Sequence, residues 1–315
     1  MPKWKVILNA LKSIITGQKR ISKKKVINFL NFIIFPLPDT KRMRNNQPFS
    51  VAEMRDRDKE LLSLPIYKTF MRHLGKVSDK WEQYLQIYDR ILSPFIIRNE
   101  PLSIMEMGVC NGGFLEVLID FMPKGSKIIG IDINEKCGNL KFDNPNIEIV
   151  IGDNAEREFL DSNFSASNFD IIIDDASHIC SNTIISFEYL FEKLNFGGLY
   201  IVEDAHTSYW KNAGGGLKRK GSTIEYFKQI IDAIHLYYMH PNQLNGKQKK
   251  MFEKYNPQIA SISFYDSIIV IEKYIKPKTA PFRRYITGSD ASILQDNSDS
   301  AVKIDKNSSF ERFLL

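Results

Sequence analysis

"FDIIIDDASH" (residues 169–178) sets a run of aliphatic side chains directly against two acids and a histidine. Ile171, Ile172 and Ile173 read as a central parallel strand buried on both faces, because an apolar run without alternation has no solvent side. Charged groups at the exit of such a strand sit at the carboxyl edge of the sheet, where open α/β folds place their ligands. A local use is open as well, since either acid can cap the helix that follows. The stretch therefore asks why Asp174, Asp175 and His178 are delivered to one spot.

Around it, short β-branched runs alternate with helical ones: SIMEM (103–107), KIIGID (127–132), IEIVI (147–151) and GLYIVED (198–204). This alternation predicts a doubly wound α/β sheet, mostly parallel. ISFYDSIIVIEK (262–273) reads as two further runs joined at Tyr265-Asp266, an antiparallel hairpin on the sheet edge that brings the strands to seven. Ahead of the sheet, helical periodicity runs through about 50–93, with Ser78 and Asp79 as expected caps before KWEQYLQIYDRIL. The expected organisation is a basic arm at 1–47 closed by FPLPDT, a helical cap or lid at 48–100, the α/β domain at 101–276 and a polar tail at 277–315.

The net charge of +6 is unevenly placed: residues 1–50 hold eleven Lys and Arg against Asp39, a surplus of ten, which leaves −4 for the rest. The body is thus slightly acidic, and no basic field surrounds it, which argues against a nucleic-acid partner. The arm's VINFLNFIIFPL (26–37) is too short to span a bilayer and lacks a small-residue cleavage site. Beside its lysines it fits peripheral contact with an anionic membrane surface, or packing on the body or a neighbouring copy. Cys110, Cys137 and Cys180 are odd in number and have no metal spacing, so they are expected to be reduced thiols in a cytoplasmic protein.

Three strand exits carry the binding signals. EMGVCNGG (106–113) supplies Glu106, Gly108, Gly112 and Gly113 at a strand-to-helix turn, where glycine lets the backbone approach a ligand. The spacing is not GxGxxG, which speaks against a dinucleotide. Asp132 ends the second strand, where an acid accepts from ribose hydroxyls, and Asp153 ends the third. That order of a glycine turn, a ribose acid and a third acid suits an adenosine ligand without a pyrophosphate.

On these residues the sequence resembles the class I S-adenosylmethionine-dependent methyltransferases, whose Rossmann-like sheet also ends in an antiparallel strand. SDKWEQYLQIYDRIL, FDIIIDDASH, GGLYIVEDAHTSYW and STIEYFKQIID are similar to the metal-dependent O-methyltransferases that modify deoxysugars of macrolides, over roughly residues 75–275. The sequence departs from that pattern at Ala176, where glycine is usual, and at His206. The resemblance implies S-adenosylmethionine at Glu106, Gly108, Gly112, Asp132, Asp153 and Asp174. It implies Mg²⁺ or Mn²⁺ at Asp175 and Asp204, with His178 in catalysis and a sugar hydroxyl as acceptor. The chemistry agrees. A sugar hydroxyl is too weakly acidic to ionise at neutral pH, so a cation held by two carboxylates and a histidine base are what methyl transfer to it needs. Glu203, beside Asp204, is expected to face away from it and is left out of the metal set. His206, Tyr209, Trp81 and Tyr84 are candidates for the acceptor side, with Lys80 and Tyr88 in the same helix and 212–221 as a gating loop. A homo-oligomer is expected. The alternatives are a metal-dependent catechol or phenol methyltransferase and a cofactor-binding scaffold on a glycan-assembly complex.

Overall fold

The structure, a computed structural model, describes residues 61–282. The basic arm, with the membrane and packing roles expected of it, and most of the polar tail lie outside the described residues. Two helices, α1 (Pro65–Arg72) and α2 (Glu82–Arg98), precede an alternating array. It runs β1 (Ser103–Met107), α3 (Gly113–Phe121), β2 (Lys127–Asp132), β3 (Ile147–Ile151), α4 (Arg157–Phe164), β4 (Phe169–Asp174), α5 (Cys180–Leu190) and β5 (Leu194–Val202). After α6 (Thr223–Ile234) and α7 (Gly246–Tyr255), the hairpin β6 (Ile259–Phe264) and β7 (Ile269–Lys273) closes the array.

The strands form one seven-stranded sheet in the order β3-β2-β1-β4-β5-β7-β6. β7 is antiparallel to both its neighbours, β5 and β6, while the other pairings are parallel. The expected doubly wound sheet with an edge hairpin is what forms. Strand order reverses between β1 and β4, and the crevice above such a switch point is where this architecture binds ligands.

Ile171, Ile172 and Ile173 have no exposed surface. Ile171 and Ile173 join Tyr88, Leu92, Phe114 and Leu118 on one face, whereas Ile172 joins Phe187, Phe227 and Tyr255 on the other. Each buried isoleucine contributes about 1.5–3 kcal/mol. That packing fixes the height at which β4 ends, and with it the position of the acids beyond.

The helix ahead of the sheet differs from expectation. α2 begins at Glu82, with Trp81 as an N-cap that makes no side-chain bond, so Ser78 and Asp79 do not cap it. Residues 78–81 lie outside any helix, and from among them the Lys80 ammonium reaches Asp175 and Glu203 across the sheet edge. At its other end α2 continues past Pro94 to Arg98, held by buried Ile91, Leu92 and Phe95. No helix among the described residues is long and apolar enough to cross a membrane.

Gly108 sits at the switch point with φ +96°, and a Cβ there would lie 2.1 Å from the Asp175 carbonyl oxygen. Gly108→Ala is therefore expected to destabilise the protein by roughly 3 kcal/mol, from a strained φ and a backbone collision together. Urea unfolding of the variant checks this, and a midpoint equal to the parent's would contradict it.

Candidate active site

Above the carboxyl ends of β1, β2, β4 and β5 lies an open cleft of about 370 Å³, within the range that holds small ligands. Its walls are the strap 77–80, the glycine turn after β1, Asp132, and the group Asp175, Ala176, His178 and Asp204. Glu106, Gly108 and Asp132 line it as placed from sequence, and Gly112 caps α3 between the lining residues Asn111 and Gly113. Asp132 is fixed by two backbone donors, Cys110 N–H at 3.0 Å and Asn134 N–H at 2.8 Å, with lone pairs left for a ligand diol.

Asp153 stands elsewhere. It ties its own turn, accepting from Ala155 N–H at 2.8 Å, and is not among the lining residues. Asp174 points to the opposite side of β4, where it is buried and burial pushes its carboxyl up to about 6 against the opposing charge of His178.

The metal candidates converge. Asp175, His178 and Asp204 each offer a ligand atom, all within 4.8 Å of one another. Asp175 is held through Oδ2, which accepts from Lys80 at 2.6 Å, and its Oδ1 is 4.0 Å from His178 Nε2. Asp204 is held through Oδ1, which accepts from the Tyr84 hydroxyl at 2.6 Å, and its Oδ2 is 3.4 Å from the same Nε2. Each acid is thus gripped by one oxygen and offers the other to a common point beside the imidazole. Two such carboxylates suit a hard divalent cation such as Mg²⁺ or Mn²⁺. An imidazole is a poorer ligand for Mg²⁺, which suits His178 better to proton transfer. The residues present fit the cation.

His178 and Asp204 have left-handed backbones, at φ 53° and 49°, as does Cys110 at φ 50° on the same cleft. For non-glycine residues this conformation costs about 1–2 kcal/mol each, and it persists where neighbouring contacts impose it. Thr207 Oγ1 supplies one, donating to the His178 carbonyl at 3.1 Å and so tying the loop after β4 to the turn after β5.

Two residues past Asp204, His206 hydrogen-bonds the Ser267 hydroxyl, and its ring lies edge-on to Trp81 at 6.3 Å and to Trp210 at 4.9 Å. Tyr84 stands behind Asp204, where burial and that carboxylate keep its hydroxyl protonated and therefore a donor. Tyr209 is exposed and does not line the cleft.

What sequence reading missed is the role of Lys80. Its ammonium is buried and contacts Asp175 at 2.6 Å, Glu203 at 2.7 Å and Glu106 at 3.9 Å, over the Phe114 ring at 4.3 Å. Burial disfavours its charge, but the three acids outweigh that and hold it protonated. Burial pushes Glu106 up to about 8 and Glu203 up to about 7, with Lys80 opposing both. Glu203 also accepts from the Tyr88 hydroxyl at 2.6 Å, one turn along α2 from the Tyr84 hydroxyl that holds Asp204, so it is not turned away as expected. These partners lie 95 and 123 residues from Lys80, so no local spacing could reveal them.

No family model matches the sequence. Among characterised proteins, it is 29% identical over 207 residues to the 8-demethyl-8-alpha-L-rhamnosyl tetracenomycin-C 2'-O-methyltransferase of Streptomyces olivaceus, covering 62% of this chain and 52% of that one. It is 32% identical over 199 residues to the mycinamicin VI 2''-O-methyltransferase of Micromonospora griseorubida, covering 59% and 47%. The chain spans about half the length of these relatives. Among solved structures it is similar to the MycE methyltransferase of the mycinamycin biosynthetic pathway in complex with Mg and SAH, with TM-score 0.56 and 28% identity over 77% of this chain and 59% of that one. The same methyltransferase with Mg, SAH and mycinamycin VI gives TM-score 0.54 and 25% identity over 80% and 67%. The fold is therefore the α/β methyltransferase fold, and the sequences the chain resembles are O-methyltransferases of glycosylated compounds.

Asp174 yields a test of its placement. Its folded value of about 6 exceeds the ordinary 3.8, so folding favours the protonated form. That stability is present below pH 3.8 and is lost as pH rises through about 6. Asp174→Asn should flatten this decline and raise stability at pH 7.5 by roughly 1–3 kcal/mol. Urea unfolding at pH 4, 6 and 7.5 measures it, and an unchanged pH profile would contradict the burial argument.

Proposed function

We propose that the protein is an S-adenosylmethionine-dependent O-methyltransferase that methylates a sugar hydroxyl of a glycoside or surface-glycan precursor with the aid of Mg²⁺ or Mn²⁺. The observation that carries this reading is the pair Asp175 and Asp204, each held by one oxygen and presenting the other to His178 beside an adenosine-sized cleft. When bound, the cofactor supplies an electrophilic methyl group, and the divalent cation stabilises the alkoxide that develops on the acceptor. Glu106, Gly108, Gly112 and Asp132 would hold the cofactor, with Asp132 on its ribose. Asp175 and Asp204 would hold the cation.

His178 would take the acceptor's proton at Nε2. The imidazolium so formed would return the proton to water afterwards. Tyr84 would keep Asp204 oriented through the step. The strap 77–80, with its anchor at Asp175 and Glu203, would form one wall of the cleft. Trp81 and His206 would form the acceptor's apolar side, a surface that suits the C–H face of a sugar. The basic arm would add peripheral association with an anionic surface to a cytoplasmic, homo-oligomeric enzyme.

The test is methyl transfer by the full chain to a panel of glycosides and phenols. Glycosides should be methylated, chelation should abolish turnover, and added Mg²⁺ or Mn²⁺ should restore it. His178→Ala should lower the rate by roughly 10²–10⁴ while S-adenosylhomocysteine and Mn²⁺ still bind. Full turnover in a chelator, or a preference for phenols, would contradict the reading.

A further inference from the structure

Carboxylates crowd the carboxyl edge of the sheet. Glu106 lies in β1, Asp175 directly follows β4, and Glu203 and Asp204 directly follow β5. Among the described residues, Lys80 is the Lys or Arg that comes within 4.0 Å of Glu106, Asp175 or Glu203. Its position is not that of a side chain reaching out from the surface. Only 3% of the side chain is exposed, and the ammonium sits between Asp175 Oδ2 and Glu203 Oε1 like an ion between two ligands. Glu203 Oε1 is completed by the Tyr88 hydroxyl at 2.6 Å, and the Phe114 ring closes one side. Gly113 packs against the carbonyls of Lys76 and Val77, where a Cβ would come within 2.3 Å and 2.4 Å, so the strap carrying Lys80 is seated on the head of α3.

We propose that Lys80 is a built-in cation: its ammonium takes the place between Asp175 and Glu203 that a second divalent ion would otherwise fill. It thereby leaves Asp175 with a single oxygen to present to the cation expected beside His178. Lys80 acts through Asp175 and is a positioning residue. The inference rests on the reading of Asp175 and Asp204 as cation ligands.

Two features separate this role from an ordinary buried ion pair. Hydrophobic replacement of such a pair is often tolerated, because both charges leave together. Here replacement of the lysine alone leaves two acid side chains facing each other across the space of one ion, which a divalent cation can occupy in place of a proton. Carboxylates so placed, with an open cleft supplying water, match the oxygen-rich environment that Mg²⁺ and Mn²⁺ take. The vacated position would also lie beside the first, since Asp175 would serve both through its two oxygens. Bridged pairs of this kind hold their ions about 3.5–4 Å apart, close enough for their electron spins to couple.

The experiment counts Mn²⁺ bound to the full chain, by titration calorimetry and by electron paramagnetic resonance, in the parent, in Lys80→Met and in Lys80→Met/Glu203→Gln. Lys80→Met should bind one more Mn²⁺ than the parent and show a spin-coupled signal that the parent lacks. The double variant, which removes one charge of each sign, should return to the parent's count. A folded Lys80→Met with the parent's count and signal would overturn the proposal. If Lys80→Met does not fold alone, recovery of its thermal transition in millimolar Mn²⁺ supports the proposal, and no recovery overturns it. Counting needs no acceptor, so failure to methylate any glycoside would remove the functional reading without touching this result.

Discussion

Glu106, Asp175 and Glu203 approach one another at the ends of β1, β4 and β5 around the Lys80 ammonium, which opposes the upward shift that burial gives Glu106 and Glu203. Acids drawn together there repel when ionised, and burial raises Glu106 to about 8 and Glu203 to about 7. The Lys80 ammonium meets that repulsion, and much follows from where it must sit. The strap before α2 is drawn across the sheet edge, and the helix starts at Glu82 and not at the capping residues before it. The same strap closes one wall of the cleft, so the contact that neutralises the acids also shapes the space beside them.

The rest of the site is a matter of divided carboxylates. Asp175 and Asp204 leave neighbouring strands one residue apart in height, because the isoleucines of β4 and the Tyr200-Ile201-Val202 run of β5 are in parallel register with Asp174 opposite Val202. One oxygen of each is committed to a protein donor, and that commitment aims the other. The left-handed turns at His178 and Asp204 complete the aim. Residues with a Cβ hold such backbones where surrounding contacts over-determine them, and here the Thr207 and Tyr84 bonds do so.

Much of this was legible in the sequence, for physical reasons that also mark where legibility stopped. An uninterrupted Ile171-Ile172-Ile173 run can only be a doubly covered strand, so β4, its neighbours and the acids beyond it could be placed from local pattern. The switch-point glycines and Asp132 followed from the same logic. Asp153, which ties its own turn, and buried Asp174 show what local pattern leaves open. A strand-end acid can serve a ligand, its own turn or the opposite face, and which one applies depends on side-chain direction over a single residue. Lys80 was beyond reach altogether, since its partners come from strand ends brought together only by the sheet. The helix start failed for the same reason, because a long-range ion contact overrode the local capping preference of Ser78 and Asp79.

The central claim is that the ends of β4 and β5 form one cation and proton-transfer centre beside a nucleoside cleft. The most direct measurement is an anomalous difference map from crystals of the full chain grown with Mn²⁺ and S-adenosylhomocysteine. The account predicts one Mn²⁺ peak shared by Asp175 Oδ1 and Asp204 Oδ2, with the nucleoside's ribose on Asp132. A nucleoside in the cleft with no peak between those two acids, or a peak held by other residues, would contradict it.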